Sequence, residues 1–575
     1  MKLRTSFCNR TALKKDITRF APAWGLYSVM LFLILFIIAV DSGDYARSRS
    51  MKDSITFMSM VNLGYAFLNA QLLFGDLFNT RACNALHAMP LRRECWYVTH
   101  LIAGLLFSLV PNGIFALAMV PMLGTGALTA GYWLLAITMQ YVFFFGLAVC
   151  SSLCVGNRFA MALVYGIINC FSLIIYLFIS TMYEPLMEGV VISGERFRPF
   201  CPIASMMYSD GDLLKIVGTK TEYYHTRLVE SISTGEGWGY LAVCAVIGVA
   251  LLGVALALYR RRKLESAGDF MAVKALEPVF LVLYTLSVAA FFQLFAELLE
   301  DLDLLFLGVG FAVGYFTGRM LLMRTTRVFQ PKGILWFVIF VAIFAGSLVL
   351  TALDPLGIAS YVPDQEDVKE VKISTYYNPQ YGEEPFLTEE DDIKLVRQIH
   401  QLVVDGQTES EDYWDMNVRD TNLSFQYKLE NGATITRTYQ VACDSPAGAL
   451  LGQFLGRTDF ILGTDDLEDL LDGLCYLYIS YEPVDLRGSI DDPMRVTPQL
   501  TKGLVEAIFA DCEEGRMIQH GAYHDEDVAY VGWLQLSLET EGGFSRSVSL
   551  NIYADCTNII EYLTQHEWSF TEIDG

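Results

Sequence analysis

Residues 131–154 read GYWLLAITMQYVFFFGLAVCSSLC, without any Asp, Glu, Lys or Arg. About 20 apolar helical residues cross the ~30 Å hydrocarbon layer of a bilayer, because each residue adds about 1.5 Å. This stretch therefore predicts a membrane-spanning helix. Eight further runs predict the same, so we expect an all-α polytopic bundle of about nine transmembrane helices. The other runs are approximately residues 22–40, 55–75, 97–121, 159–182, 237–259, 277–297, 304–323 and 333–353.

Composition divides the chain into two parts. Hydrophobic residues make up 53% and charged residues 18% of the 575 residues, whereas soluble proteins carry about a quarter charged residues. This argues against a water-soluble enzyme, a disordered protein and a disulfide-rich miniprotein. Residues 1–360 carry 27 basic and 22 acidic residues, but residues 361–575 carry 13 and 42. The acidic part is predicted to be a soluble domain that repels nucleic acid.

Loop charges orient the predicted bundle, because loops that remain in the cytoplasm are enriched in Lys and Arg. With a cytoplasmic N-terminus, most basic residues fall inside, although Arg47, Arg49 and Lys52 fall outside. Nine crossings then predict a multi-pass cell-membrane protein with an extracellular C-terminal domain. Residues 1–20 are expected to form an interfacial basic helix. The basic residues of the predicted inside tail and loops are Lys2, Arg4, Arg10, Lys14, Lys15, Arg19, Arg81, Arg92, Arg93, Arg158, Arg260, Arg261, Arg262, Lys263, Lys274, Arg324, Arg327 and Lys332.

Two patterns within the apolar runs have more than one interpretation. Asn62, Asn69 and Asp76 recur every seven residues, which places them on one helical face. They line a transport pathway or form hydrogen bonds between helices, and the second interpretation is at least as well supported. Glycines recur every four residues at Gly310, Gly314 and Gly318, where packing against a neighbouring helix is the favoured interpretation.

Catalytic sequence motifs are absent from the chain. It contains no G-x-x-x-x-G-K-[ST] phosphate loop, no H-E-x-x-H and no G-x-S-x-G, and none of its seven His has metal-ligand spacing with Cys. We therefore expect no catalytic residues, no metal site and no cofactor in this chain, which is not predicted to be an enzyme. Energy for transport must then come from an ion gradient or a partner chain.

The loop after the second run reads FGDLFNTRACNALHAMPLRRECWYVTHLIAGLL (residues 74–106). A polar helix ending in a Met-Pro-Leu-Arg-Arg turn resembles the cytoplasmic coupling loop of membrane subunits in bacterial type-2, exporter-class ABC transporters. The basic helix at the N-terminus, the segment 183–236, YRRRKLESAGDF (259–270) and GRMLLMRTTRVF also resemble this family, the last a subgroup with an extra extracellular C-terminal domain. The resemblance implies a six-span permease-like core over residues 21–262 and three further spans over residues 263–355.

The resemblance also implies partners. A separate ATPase subunit, which would hold ATP and Mg, is expected to dock on the loop 76–95. A second permease subunit, identical or different, is expected to complete a dimer in the lipid bilayer. The alternative for the last two arginines of the docking set is simple anchoring at lipid headgroups. The expected docking residues are Arg81, Asn84, His87, Pro90, Arg92 and Arg93.

The acidic part is predicted to be an α+β domain made of two similar repeats, residues 360–470 and 471–575. Each repeat has the order strand, helix, hairpin and helix, and the hairpins match at an offset of 111 residues. Asn431-Gly432 and Gly542-Gly543 are the corresponding turns. We expect this domain to recognise an unknown extracellular ligand. Its acidic runs (389–392 and 465–469) are best interpreted as helix starts, and Cys443, Cys475, Cys512 and Cys556 leave disulfides open.

Two other functions compete with ATP-driven export. The chain is alternatively a membrane receptor whose ectodomain senses a ligand and signals through partner proteins without transport. A membrane-embedded enzyme is the least favoured interpretation, since the catalytic motifs are absent.

Overall fold

The computed structural model divides the chain into two compact units. The membrane unit comprises residues 1–182 and 193–347, and the C-terminal unit comprises residues 183–192 and 348–575. The structure describes residues 8–40, 44–89, 92–123, 126–192, 194–208, 214–221, 225–233, 237–296, 303–375, 380–381, 386–406, 420–442, 445–455, 476–482, 494–495, 498–514, 516, 530–539 and 545–565.

The membrane unit is built from helices and one short antiparallel ribbon. Its helices are α1 (Arg10–Arg19), α2 (Ala21–Val40), α3 (Asp44–Leu73), α4 (Thr80–His87), α5 (Arg93–Leu123), α6 (Ala127–Cys154), α7 (Arg158–Asn169), α8 (Phe171–Met182), α9 (Gly194–Phe197), α10 (Pro202–Tyr208), α11 (Trp238–Arg261), α12 (Glu277–Ala296), α13 (Asp303–Met323) and α14 (Pro331–Ala352). Strands β1 (Leu214–Thr221) and β2 (His225–Ser233) form the ribbon.

Seven helices in the described part of the chain are long and apolar enough to span a membrane, which indicates a membrane-embedded protein. They are α2, α5, α6 and α11 to α14, with small differences in their ends. An eighth span results if α7 and α8, which meet at a bend of 61°, are counted as one. Helix α3 is not among these spans, because Asn62, Asn69 and Gln71 lower its hydropathy. The predicted span at residues 55–75 thus corresponds to α3, a long helix of more polar composition.

Glycines allow two pairs of membrane helices to pack backbone against backbone. A Cβ atom added to Gly146 of α6 would lie 2.3 Å from the carbonyl oxygen of Gly248 on α11. Gly310, Gly314 and Gly318 lie against α12, where added Cβ atoms would come within 3.0 Å of its residues. The neighbouring helix of this glycine repeat therefore belongs to the same chain. The contact between α6 and α11 was not predicted from the sequence.

The C-terminal unit is α+β. Its elements are β3 (Val368–Thr375), β4 (Gln380–Tyr381), α15 (Glu390–Val404), β5 (Asp420–Leu429), β6 (Thr434–Ala442), α16 (Pro446–Leu455), β7 (Tyr476–Glu482), β8 (Met494–Arg495), α17 (Pro498–Glu513), β9 (Tyr530–Glu539), β10 (Ser545–Tyr553) and α18 (Thr557–Gln565). One antiparallel sheet has the order β3-β5-β6, and the other has the order β4-β10-β9-β7-β8.

The two hairpins of this unit have equivalent registers. Leu423 pairs with Tyr439 in the first hairpin, and Leu534 pairs with Leu550 in the second. Both positions of the second pair lie 111 residues beyond those of the first. The turn at Asn431-Gly432 is described, and Gly432 has a φ of 81°, which glycine adopts without strain. The Gly542-Gly543 turn and the acidic run 465–469 lie outside the described residues.

The segment between α8 and α9 belongs to the C-terminal unit. Val190 forms an antiparallel bridge with Arg437 of β6, and the backbone N–H of Thr438 donates to the carbonyl of Gly189 at 2.8 Å. Gly189 has a φ of 72°, and its missing side chain leaves room for the Tyr439 ring. The segment 183–192 thus extends the β3-β5-β6 sheet at its β6 edge. The predicted repeat boundary at residue 360 did not include this segment.

Candidate functional site

Helix α4 is a short polar helix between α3 and α5. The Asn79 side chain caps its start by accepting from the backbone N–H of Arg81 at 3.0 Å, as expected for an N-cap residue. Cys83 is buried on one face, whereas Arg81 and Asn84 are exposed on the other. The helix therefore has an inner face held by the protein and an outer face available to a partner.

Of the other residues predicted to dock an ATPase, Arg92 and Arg93 are exposed where α5 begins. His87 is the last residue of α4, but its side chain and all of Pro90 lie outside the described residues. Nη1 of Arg93 donates to the carbonyl of Arg262 at 3.3 Å, so Arg93 also has a structural contact. Arg81, Asn84 and Arg92 remain as the described exposed members of the set.

Arg262 joins the segment before α4 to the end of α6. Its Nη1 donates to the carbonyls of Ser152 (3.0 Å) and Leu153 (3.1 Å), in the last turn of α6. Its Nη2 donates to the carbonyl of Leu77 at 3.2 Å, within the short 3₁₀ helix Gly75–Phe78. Helix C-terminal carbonyls lack partners within the helix and interact favourably with cations. One guanidinium at the end of α11 therefore connects the segment before α4 to the last turn of α6.

A second set of contacts, between backbone groups, connects the end of α6 and the loop after it to the loop after α11. The N–H of Gly268 donates to the carbonyl of Gly156 at 2.7 Å, and that of Ala272 donates to the carbonyl of Cys154 at 2.8 Å. A Cβ atom on Gly156 would lie 2.3 Å from the Ser266 carbonyl oxygen, so this close approach requires glycine. We call the loops at residues 74–93, 155–158 and 262–276 the loop layer.

Helix α1 packs on α5 close to the loop layer. Asp16 and His100 form a buried pair, with 2.9 Å between Oδ2 and Nδ1. The backbone N–H of Asn9 donates to Oγ1 of Thr99 at 3.1 Å, and the Asn9 side chain caps α1. The predicted interfacial helix is therefore fixed to a membrane helix by polar contacts, in addition to any contact with lipid.

The polar residues of the second run lie in the interior of the bundle. Nδ2 of Asn62 donates to Oε1 of Gln140 at 3.2 Å, and Nδ2 of Asn69 donates to the Tyr141 hydroxyl at 2.9 Å. Both asparagines are fully buried. The structure thus places them in interhelical hydrogen bonds between α3 and α6. Asp76 lies beyond the end of α3 in the 3₁₀ helix, where it is half-buried, so the heptad face does not extend to it.

Other buried polar groups of the bundle were not predicted. The rings of Tyr27 and Tyr65 stack with centroids 4.0 Å apart. The Tyr27 hydroxyl donates to Oδ1 of Asn112 at 2.9 Å, and the Tyr65 hydroxyl donates to the carbonyl of Phe107, also at 2.9 Å. Tyrosine in an apolar run does not reveal such a partner in advance, because Tyr is also common at membrane interfaces.

The C-terminal unit contains a buried histidine between two tyrosines. Nδ1 of His400 lies 3.1 Å from the Tyr427 hydroxyl, and Nε2 lies 3.1 Å from the Tyr439 hydroxyl. Burial, with smaller contributions from Arg437 and Arg397, lowers the pKa of His400 to about 3. The imidazole is therefore neutral at physiological pH, so one nitrogen donates and the other accepts.

The described ranges contain His, Cys, Asp and Glu side chains that could serve as metal ligands if they were grouped. No group of three or more His, Cys, Asp or Glu side chains there is placed to hold a metal ion. Glu390, Asp391 and Asp392 lie in the first turn of α15, where the helix dipole favours acidic residues. Cys512 and Cys556 are buried, whereas Cys443 and Cys475 lie outside the described residues.

Comparison with protein-family models, with characterised proteins and with solved structures finds no match to this chain. Its function must therefore be inferred from the loop layer, the bundle interior and the C-terminal unit themselves.

Proposed function

We propose that this chain is the transmembrane subunit of an ATP-driven exporter of the type-2 ABC class. The observation that carries the proposal is the position of α4. It presents Arg81 and Asn84 outward, and Arg92 is exposed just before α5, while Arg262 fixes the segment before α4 to the end of α6. A short helix that is exposed on one side and fixed on the other suits the transmission of a partner's motion.

In this mechanism the partner subunit binds and hydrolyses ATP, and this chain supplies no catalytic group. A displacement of α4 reaches α6 and α11 through Arg262, since its three hydrogen bonds join the segment before α4 to the last turn of α6. The glycine contact between Gly146 and Gly248 then moves α6 and α11 together. The bundle responds by alternating access to either side of the membrane, together with a second permease subunit.

The proposal includes a ninth crossing through α3, which would place the C-terminal unit outside. Helix α3 has 30 residues, or about 45 Å of helix. It runs along α6 over most of that helix's length, from the Ser54–Trp133 hydrogen bond near the start of α6 to the Gln71–Arg158 hydrogen bond just beyond its end. Since α6 is a spanning helix, its neighbour α3 has the length and the position to cross as well.

This topology is tested by labelling a cysteine introduced at Gly575 in intact cells. An impermeant maleimide should react before permeabilisation, because nine crossings from an inside N-terminus end outside. The native cysteines are first replaced by alanine or serine as background control, with activity of the resulting chain checked. Labelling that requires permeabilisation would instead show eight crossings, and α3 would then lie within the membrane without crossing it.

We further propose that the C-terminal unit arose by duplication and serves recognition. Equivalent hairpin registers at an offset of 111 residues support the duplication. The excess of acidic residues, 42 against 13 basic residues between positions 361 and 575, favours a cationic ligand through long-range attraction that salt screens.

The second candidate function is a ligand-sensing receptor without transport. It is favoured by the segment 183–192, which joins the C-terminal sheet and continues directly from α8 into the loop before α9. In this candidate function a change in the C-terminal unit reaches α8 through the chain itself. The two candidates differ in the partner that α4 binds.

The docking prediction uses the variant Arg81→Glu with Arg92→Glu. Both side chains are exposed, and within the described part of the chain neither forms an ion pair that the change would remove, whereas Arg93 is left intact because it bonds to Arg262. We expect ATPase co-purification with the tagged chain from native membranes to fall about tenfold, since reversing two interface charges replaces attraction by repulsion.

Arg327→Glu is the matched control, because Arg327 is an exposed cation in the loop after α13 and outside the loop layer. It should leave the ATPase in the complex. Wild-type chain that brings down a kinase or regulator instead of an ATPase would favour the receptor. Equal ATPase recovery from wild type and the double variant would remove α4 as the docking site.

A further inference from the structure

A groove between α12, α13 and α14 is lined by residues other than those of the loop layer and the interior hydrogen bonds. Its volume is about 640 Å³, and its lining includes Glu277, Tyr315, Arg319, Lys332, Trp336 and Phe340. Most of the remaining lining is aliphatic, as with Leu281 and Val282 of α12. The groove therefore combines an apolar wall with two cationic side chains.

Arg319 is held in position at this groove. Its guanidinium carbon lies 5.8 Å from the centre of the Tyr315 ring, and Nη1 donates to the Tyr315 hydroxyl at 3.4 Å. The Tyr315 hydroxyl in turn donates to the carbonyl of Gly333 at 3.0 Å. A side chain at position 333 would collide with the guanidinium, since an added Cβ atom would lie 1.9 Å from Nη1. Gly333 thus gives Arg319 the space it occupies.

The charges at the groove are not neutralised by a basic–acidic pair. In the described part of the chain, neither Arg319 nor Lys332 forms an ion pair, and Glu277 is the one carboxylate in the lining. Guanidinium and ammonium groups bind phosphate oxygens strongly. The groove therefore suits a ligand with an anionic group and an apolar body.

The groove lies at one end of its three helices. Glu277 begins α12, Arg319 lies four residues before the end of α13, and Lys332 lies in the first turn of α14. Trp336 follows one turn later and is 64% exposed, as expected for an aromatic residue at headgroup depth. Arg324 pairs with Asp269 of the loop layer at 3.1 Å, so this is the basic end of the bundle.

From these observations we infer that the groove binds an anionic phospholipid of the inner leaflet. Arg319 and Lys332 hold the phosphate of the headgroup, and an acyl chain lies along the wall formed by α12 and α14. A soluble phosphate leaves the apolar wall without a partner. Basic pockets between membrane helices on the cytoplasmic side bind anionic headgroups in this manner.

The test compares phosphatidylglycerol with phosphatidylcholine bound to purified full-length protein, by native mass spectrometry after exchange into defined nanodiscs. Wild type should retain phosphatidylglycerol at least about tenfold better than phosphatidylcholine. Arg319→Gln with Lys332→Gln should abolish this preference. Arg327→Gln, which changes a nearby exposed cation outside the groove, should keep it.

Two further variants distinguish the parts of the site. Val282→Trp fills the space along the apolar wall and keeps both cations, so bound phosphatidylglycerol should be lost. Excess inorganic phosphate should not displace phosphatidylglycerol from the wild-type protein. Arg319→Lys retains the charge and should preserve most of the preference, which separates loss of binding from misfolding. Equal retention of both lipids by wild type, or unchanged retention in Val282→Trp, would overturn the inference.

Discussion

Replacing Arg262 by methionine should cost the membrane unit about 2–4 kcal/mol of stability, the largest effect that we expect from one substitution outside the glycine contacts. The change removes three charge-assisted hydrogen bonds and leaves the carbonyls of Ser152, Leu153 and Leu77 without this donor. The apparent melting temperature of the purified protein in detergent should fall by several degrees.

Two neighbouring arginines supply the controls. Arg261 is exposed, so Arg261→Met should change stability by no more than about 0.5 kcal/mol. Arg260 pairs with Glu94 at 2.8 Å, but both groups are partly exposed and the pair contributes about 1 kcal/mol or less. A melting temperature of Arg262→Met within error of that of Arg261→Met would contradict the structural role of Arg262.

The second large effect is a loss of stability of the C-terminal unit in acid. His400 has a pKa of about 3 in the folded protein and 6.5 without perturbation. Between these values the unfolded chain binds the proton and the folded chain does not, so stability falls as pH falls below about 6.5. The expected loss at pH 5 is about 2 kcal/mol relative to pH 7.5.

This loss is measured by hydrogen exchange of α15 in the full-length protein, with rates corrected for the intrinsic pH dependence of exchange. The variant His400→Phe with Tyr427→Phe and Tyr439→Phe keeps three rings, including the one against Gly189, and removes the imidazole and both hydroxyls. In this variant the opening free energy measured by exchange should no longer contain the loss of about 2 kcal/mol between pH 7.5 and pH 5. Tyr427→Phe alone should weaken the unit at every pH and keep the acid effect.

If the triple variant and wild type lose protection equally on acidification, His400 is not the group responsible. Phe425 stacks on the imidazole with ring centres 4.6 Å apart, so the site is preformed and has little room for a charged imidazole to reach water. This is the physical reason for expecting the proton to enter only with unfolding.

The helices of the membrane unit could be predicted because hydrocarbon imposes length and composition on a span. Helix α3 is less apolar, and the side-chain nitrogens of its asparagines donate to Gln140 and Tyr141 of another helix. A run of residues does not show which neighbour supplies the partner. The same limit explains why the glycine repeat at Gly310 predicted packing, but did not identify α12.

The role of Arg262 could not be read from the sequence, because three consecutive arginines and a lysine resemble an ordinary inside anchor. The fold separates them: Arg260 meets Glu94, Arg261 is exposed and Arg262 faces the carbonyls of α6. The direction in which each of these residues points at the end of α11 makes this distinction. Helix α6 lies against α11 at the distant contact between Gly146 and Gly248.

In the C-terminal unit, alternation and turn residues predicted both hairpins, because these are local signals. The bridge between Val190 and Arg437 has no local signal, since the residues are far apart in sequence. His400 was not singled out either, although Tyr427 and Tyr439 follow the alternation of their strands. The charge of a single histidine is decided by the fold around it.

The segment 183–192 also has a consequence for biogenesis. Val190 is synthesised about 250 residues before its partner Arg437, which at about 5–20 residues per second is a delay of roughly 10–50 seconds. During this interval the four described spans α11 to α14 have to be inserted before the strand finds its sheet. Ribosome pausing or early release within this stretch would leave β6 with an open edge, and open edges recruit strands from other chains. Quality-control proteases and chaperones would therefore act on this protein until late in its folding, because the last folding step is the pairing of the segment 183–192 with β6.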